Sequence, residues 1–194
     1  NMSFPKEIDF NNLIWASVGK YHMDDLLKKN QVMLGDIDLK NMPNFIGIDR
    51  ALVCFAALRM IKNKSSKNLL IIDLGTTVSI TKIDNEGKFL GGQIFPGFTT
   101  QLNSMEQSTK NLFSPNKLFI PNNNFELSTM NAMLRGVYNS IIGAIHLSFD
   151  RKKDILILCG GDANLIGNSL KQEIKNFILE PNLVMYGMIF LNKK

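Results

Sequence analysis

The chain has 194 residues, 45% of them hydrophobic and 20% charged, enough to bury one core or two small lobes. Its formal net charge of +5 comes from scattered lysines with a short cluster only at Arg151–Lys153, so neither a basic tail nor a helical stripe points to nucleic acid. The longest apolar runs, such as "DILILCGG", are too short to span a bilayer, and no basic-then-apolar leader opens the chain, so no membrane partner is expected.

The chain opens Asn1-Met2 and within a dozen residues reaches "NLIWASV" (12–18), a strand-length run with Trp15 as a core residue; such a start predicts an N-terminal truncation. "YHMDDLLKKN" is polar and amphipathic and predicts a short helix, and "NMPNFIG" a Pro-containing loop. In "DRALVCFAALRMIKN" (49–63), Leu52, Phe55, Ala56, Arg59 and Met60 recur at helical spacing, with Asp49 at the N-cap position. "LLIIDLGTTVSITKIDNEGKFLGGQIFPG" (69–97) supplies two or three strands turning at "DNEGK". Helical patterns follow at 98–110 and 128–149, separated by the Asn/Pro-rich "SPNKLFIPNNN". The end reads as a strand, a Gly-Gly turn and a helix in "DILILCGGDANLIGNSLKQEIKNFI", then a final strand, "PNLVMYGMIFLN". A strand hairpin followed by alternating helices and strands predicts an α/β protein, a mixed sheet with helices on its faces.

Cys54 and Cys159 sit far apart in apolar stretches without a CxxC partner, which predicts buried free thiols in a reducing compartment, the cytoplasm. His22 and His146 are isolated, with no partner at metal-ligand spacing.

Three short elements carry candidate chemistry. In "LIIDLGTT" (70–77) a buried run ends in Asp73 and turns at Gly75. Gly75 would bring backbone N–H groups close to a ligand, Thr76, Thr77 and Ser79 can donate to phosphate oxygens, and Asp73 could hold a cation. The same residues also make an ordinary β-turn with a capping Asp. In "LCGGDANLI", Gly160 and Gly161 would let a nucleotide lie against the backbone at a helix start, or serve only tight packing. The spacing is neither that of a dinucleotide fingerprint nor that of a P-loop. In "GIDR", Asp49 at a helix N-terminus suits a proton-accepting carboxylate and Arg50 a fork for a substrate carboxylate, or the pair is a plain N-cap with a surface arginine.

The order of "GIDRAL", "LLIIDLGTTVSI", "KFLGGQIFPG", "STMNAMLRGVYNSIIGAI", "LILCGGDANLI" and "PNLVMYGMIFL" resembles that of the type III pantothenate kinases, members of the actin-like, hexokinase-like and Hsp70-like ATPase superfamily. The likeness runs collinearly from about Asn12 to the C-terminus. It implies a ribonuclease-H-like (actin-like ATPase) fold of two lobes, with residues 1–48 a remnant of the first, and residues 49–194 the linking helix and the second. It also implies ATP-dependent phosphorylation of pantothenate, the first step of coenzyme A biosynthesis, with ATP, Mg2+ and a monovalent cation (K+ or NH4+) as cofactors, by a homodimer.

By position, the resemblance makes Asp49 the general base toward the pantothenate hydroxyl, and Gly47, Ile48 and Arg50 lining residues of the pantothenate site. It makes Thr129 a pantothenate contact from across a dimer interface and Asp73 the cation ligand. Gly75, Thr76 and Thr77 fall on the ATP phosphates, and Gly160 with Gly161 on the adenosine side. The family's opening strand and D-x-G-N-T-like loop have no counterpart here, since "GDIDLKN" lacks both the strand and the Asn-Thr. A tyrosine often found upstream of G-x-D-R is replaced by "DLKNMPNFIG". The missing loop fits either a truncated kinase or a non-catalytic binding or regulatory homologue; a sugar or acetate kinase of the same superfamily is disfavoured by the pairing of "GIDR" with "LGGQIFPG".

Overall fold

The computed structural model describes residues 14–18, 30–61 and 66–192. Along the chain run helix α1 (Ile48–Ile61), strands β1 (Asn68–Leu74), β2 (Thr77–Ile83) and β3 (Phe89–Pro96), helices α2 (Phe98–Ser108) and α3 (Thr129–Ser148), strand β4 (Asp154–Cys159), helix α4 (Ala163–Leu170), strand β5 (Ile178–Leu179) and helix α5 (Leu183–Asn192). The strands form one mixed sheet in the order β3-β2-β1-β4-β5. β1, β2 and β3 pair antiparallel, whereas β4 joins β1, and β5 joins β4, in parallel. This is the expected mixed α/β architecture.

Strand β1 reads as an almost unbroken apolar run because helices cover both of its faces. Leu70, Ile72 and Leu74 pack with Phe98 of α2 and Leu134, Ile141 and Ile145 of α3. Leu69 and Ile71 point the other way and pack with Ile83, Ile157 and the α1 residues Val53, Ala56 and Ala57. Side chains alternate along a strand, so Asp73 falls on the α1 face, opposite Ser79 of β2 and Cys159 of β4. The register that builds the core therefore also aims the acid. The turn between β2 and β3 is held by Asp84, whose Oδ1 accepts the N–H groups of Glu86 at 2.9 Å and Lys88 at 2.8 Å.

Three local expectations are corrected. "PNLVMYGMIFLN" is helix α5, not a strand. Its residues are apolar nearly all round, so the run carries no helical period to read. It crosses α1 so closely that a Cβ on Gly187 would lie 2.6 Å from the Leu52 carbonyl oxygen. Trp15 does not sit in a strand but in an isolated parallel bridge to Gln31, and it is half-buried. Helix α1 starts at Ile48, since the Gly47 carbonyl accepts the Ala51 N–H at 3.1 Å; Asp49 lies inside the first turn rather than at the cap. The predicted helix at 21–30 lies, but for Asn30, outside the described residues, as does His22.

Both cysteines are buried free thiols, as expected. His146 bonds Glu173 at 2.7 Å. Among the described residues no helix is long and apolar enough to cross a membrane.

Candidate active site

On the α1 face, β1 runs from Leu69 and Ile71 to Asp73, and β2 runs back from Thr77 and Ser79 through Thr81 to Ile83. The apolar end lies under α1, and the polar end lies beyond it, where the first turn of α1 hangs over the sheet. A cavity of about 490 Å³ opens there, bounded by Gly47, Asp49 and Arg50 on one side and Asp73, Thr77 and Ser79 on the other. Phe45, Ile46, Phe89 and Ile94 add apolar surface to its wall. Two of the three sequence elements, "GIDR" and "DLGTT", thus meet across one pocket.

The third lies beside them. The β4–α4 turn docks on the end of β1, with the Asp162 N–H donating to the Leu74 carbonyl at 2.9 Å. Gly160, at φ +90°, approaches so closely that a Cβ on it would collide with Asp73 Oδ1. Gly161 has open space around its α-carbon.

Other predicted residues stand elsewhere. Ile48 is buried and turned into the core. Gly75 and Thr76 form the two-residue tip between β1 and β2. Thr76 there offers its carbonyl to the Gly97 N–H at 2.9 Å and to Thr100 Oγ1 at 2.6 Å. The "DLGTT" segment is a hairpin turn in its backbone, as one reading of it expected, and two of its residues, Asp73 and Thr77, line the pocket. Thr129 opens α3, exposed, and does not line the pocket.

The two acids are placed differently. Asp49 Oδ1 accepts the Arg50 N–H at 2.8 Å, and Oδ2 has no donor among the described residues. Asp73 is largely buried and receives no hydrogen bond among the described residues. Burial first, and the nearby Asp49 charge second, push its carboxyl up to about 6. Between about pH 4, where an unfolded Asp loses its proton, and about 6, the folded chain holds a proton the unfolded chain has released. Stability therefore falls as pH rises through that window and stays reduced above it. In buffer free of monovalent metal cations Asp73→Asn is expected to lose less stability than the native chain as pH rises through that window, and to exceed it above pH 7 by an amount on the order of 2 kcal/mol, allowing for partial solvent exposure. Parallel pH profiles for the two proteins in urea unfolding would contradict this.

Sequence reasoning assigned no role to Thr81, Phe89 or Gly92, yet they hold Arg50. Its Nε and Nη2 donate to Thr81 Oγ1 at 3.2 and 3.1 Å, and its guanidinium lies 5.9 Å from the Phe89 ring centre. The signal was present in "KFLGGQIFPG", whose second glycine, Gly92, stands opposite Thr81.

Comparison with known proteins gives this geometry a lineage. The sequence model of the type III pantothenate kinases matches residues 13–151. The chain belongs to the type III pantothenate kinase family. Curated members of that family from Synechococcus elongatus (29% identical, covering 82% of this chain and 64% of that protein) and Helicobacter pylori strain J99 (33% identical, 77% and 60%) are similar to it. The chain thus spans about three fifths of the length of the curated relatives it matches. Among solved structures, one described as a conserved Baf family transcriptional activator from Campylobacter jejuni superposes with a TM-score of 0.64 at 23% identity, over 86% of this chain and 73% of that one. That likeness carries the fold alone, a mixed sheet with helices on its faces.

Proposed function

We propose that the protein to which this chain belongs transfers the γ-phosphoryl group of ATP to the hydroxyl of pantothenate, forming phosphopantothenate. The observation that carries this reading is the convergence of Asp49, Arg50 and Asp73 on one pocket with an apolar wall. A primary alcohol is a weak nucleophile, and phosphoryl transfer depends mainly on alignment and on charge cancellation. Asp49 is the general base: Oδ1 is held by the Arg50 N–H, and Oδ2 is free to take the hydroxyl proton. Arg50 faces the substrate carboxylate, and the Gly47 side of the pocket receives the rest of pantothenate. Ile48 acts by packing beneath them.

The phosphates lie toward Thr77 and Thr76 and the Gly75 turn, with adenosine near Gly160 and Gly161. Asp73 fits a monovalent cation: it is a largely buried carboxylate without a hydrogen-bond donor among the described residues, repelled by Asp49, with the Ser79 and Thr77 hydroxyls on the same pocket wall. Such a cation, when bound, offsets charge on the transferred group. Among the described residues no three His, Cys, Asp or Glu side chains gather for a metal, and magnesium is proposed to enter as its ATP complex. Thr129, exposed at the start of α3, reaches pantothenate from a second copy in a homodimer. Residues 1–48 belong to the first lobe, and residues 49–194 make the linking helix and the second.

The test is phosphopantothenate formation by the product of the complete gene, with ATP, magnesium and potassium. Stoichiometric release of ADP and phosphopantothenate is expected, with a lower rate when sodium replaces potassium. ATP and pantothenate returned intact would favour the non-catalytic alternative.

A further inference from the structure

Arg50 is not a surface arginine with free rotamers. Its guanidinium crosses from the first turn of α1 to the sheet and ends on Thr81, a polar side chain that is only 1% exposed in the middle of β2. One oxygen takes two N–H groups, from Nε and Nη2. Across the strand pair the next position is Gly92, where a Cβ would lie 2.6 Å from Arg50 Nη2 and collide with the Ile80 carbonyl oxygen. Phe89 flanks the guanidinium at 5.9 Å. The arginine is therefore clamped from behind by an acceptor, given room by a missing side chain, and bordered by a ring, while Arg50 itself lines the pocket.

A hydroxyl in a β-strand position otherwise suited to valine needs a reason, because burying it without a partner is unfavourable. Here its partner is Arg50 alone among the described residues. An arginine anchored along its Nε–Nη2 edge keeps Nη1 for another acceptor, in a fixed plane suited to a carboxylate. We infer that Thr81, with Gly92 making space, is a positioning residue that fixes Arg50 to read the carboxylate end of the substrate, and so sets the preference for an acid over its neutral analogue. This rests on the pantothenate reading of the pocket, but the anchor itself does not.

Two measurements separate them. In the complete protein, Thr81→Val removes the acceptor while keeping shape and strand preference, and Thr81→Ser keeps the acceptor. For Thr81→Val we expect KM for pantothenate to rise ~10-fold or more, in line with losing a hydrogen bond to a charged group, with kcat nearly unchanged. Pantothenol, which has an alcohol in place of the carboxylate, should change little, so the preference for the acid narrows; Thr81→Ser restores it. Equal weakening of both compounds would overturn the selective role. The second readout needs no turnover: the Arg50 Nε–H nuclear magnetic resonance signal, assigned by its loss in Arg50→Lys, should exchange slowly in the native and Thr81→Ser proteins and be lost to exchange in Thr81→Val. Persistence of that signal in Thr81→Val would overturn the anchor. An anchor confirmed in a protein inert toward pantothenate would instead fault the substrate reading.

Discussion

Asp49→Asn is expected to lower kcat by about 10²–10⁴-fold, the usual worth of a positioned general base, while KM for pantothenate moves by no more than a few-fold. The amide keeps the size of the carboxylate, and its oxygen can still accept the Arg50 N–H that the native Oδ1 takes at 2.8 Å. What it loses is the charge and a basic Oδ2 that has no donor among the described residues. The loss therefore falls on the transition state, where the hydroxyl proton is in flight, and not on ground-state binding. A competing view treats Asp49 as an acid placed in the first turn of α1 only to complement the helix dipole. That view predicts a stability loss of roughly 0.3–1 kcal/mol and unchanged turnover. Rates of ADP release measured beside thermal melts separate the two, and native-like turnover in a folded Asp49→Asn protein would end the general-base assignment.

How much of this was legible beforehand depends on whether the determining contact is local. Helix α1, the β2–β3 turn at Asp84 and the strands around "LIIDLGTT" follow from spacing and turn chemistry that act over a few residues. Helix α5 did not, because a run with apolar residues on every side fits a buried strand or a buried helix equally well, and its choice is made by packing against Leu52. Asp73 was legible as a candidate acid because a carboxylate closing an apolar run is uncommon, whereas Asp49, an ordinary acid at a helix start, stood out only through its setting in "GIDR". Thr81 was not: a threonine in a strand looks ordinary until Arg50, 31 positions earlier, is seen to end on it. Gly92 belonged to a noticed motif, but its purpose lies in the space between two strands and a helix side chain. Pairwise placement across elements is the information that a single sequence does not print.

The same distinction governs the Gly-Gly corner, where two adjacent residues that look equivalent are expected to behave differently. Gly160→Ala must put a side chain at φ +90°, a region unfavourable for any L residue. Its Cβ would meet Asp73 Oδ1 and stand 2.5 Å from the Leu74 carbonyl oxygen and 2.7 Å from the Leu74 nitrogen. Backbone cannot yield there easily. Leu74 is the last residue of a central strand, its carbonyl holds the Asp162 N–H at 2.9 Å, and the Gly160 N–H is committed to the Pro181 carbonyl at 3.1 Å. Strain and overpacking together are expected to cost about 3 kcal/mol or more and to displace the Asp73 carboxylate, so that, if Asp73 holds the proposed monovalent cation, response to potassium is lost even where the protein remains folded. Gly161→Ala meets no atom within 4 Å and should melt within about 1 kcal/mol of the native protein. If adenosine rests on that corner, this second variant should raise KM for ATP without lowering stability. A Gly160→Ala protein with native stability and native potassium response would show that the corner does not shape the Asp73 site. A Gly161→Ala protein unchanged in its ATP dependence would move the adenosine away from the corner, leaving Gly160 as a purely internal fit between β4 and β1.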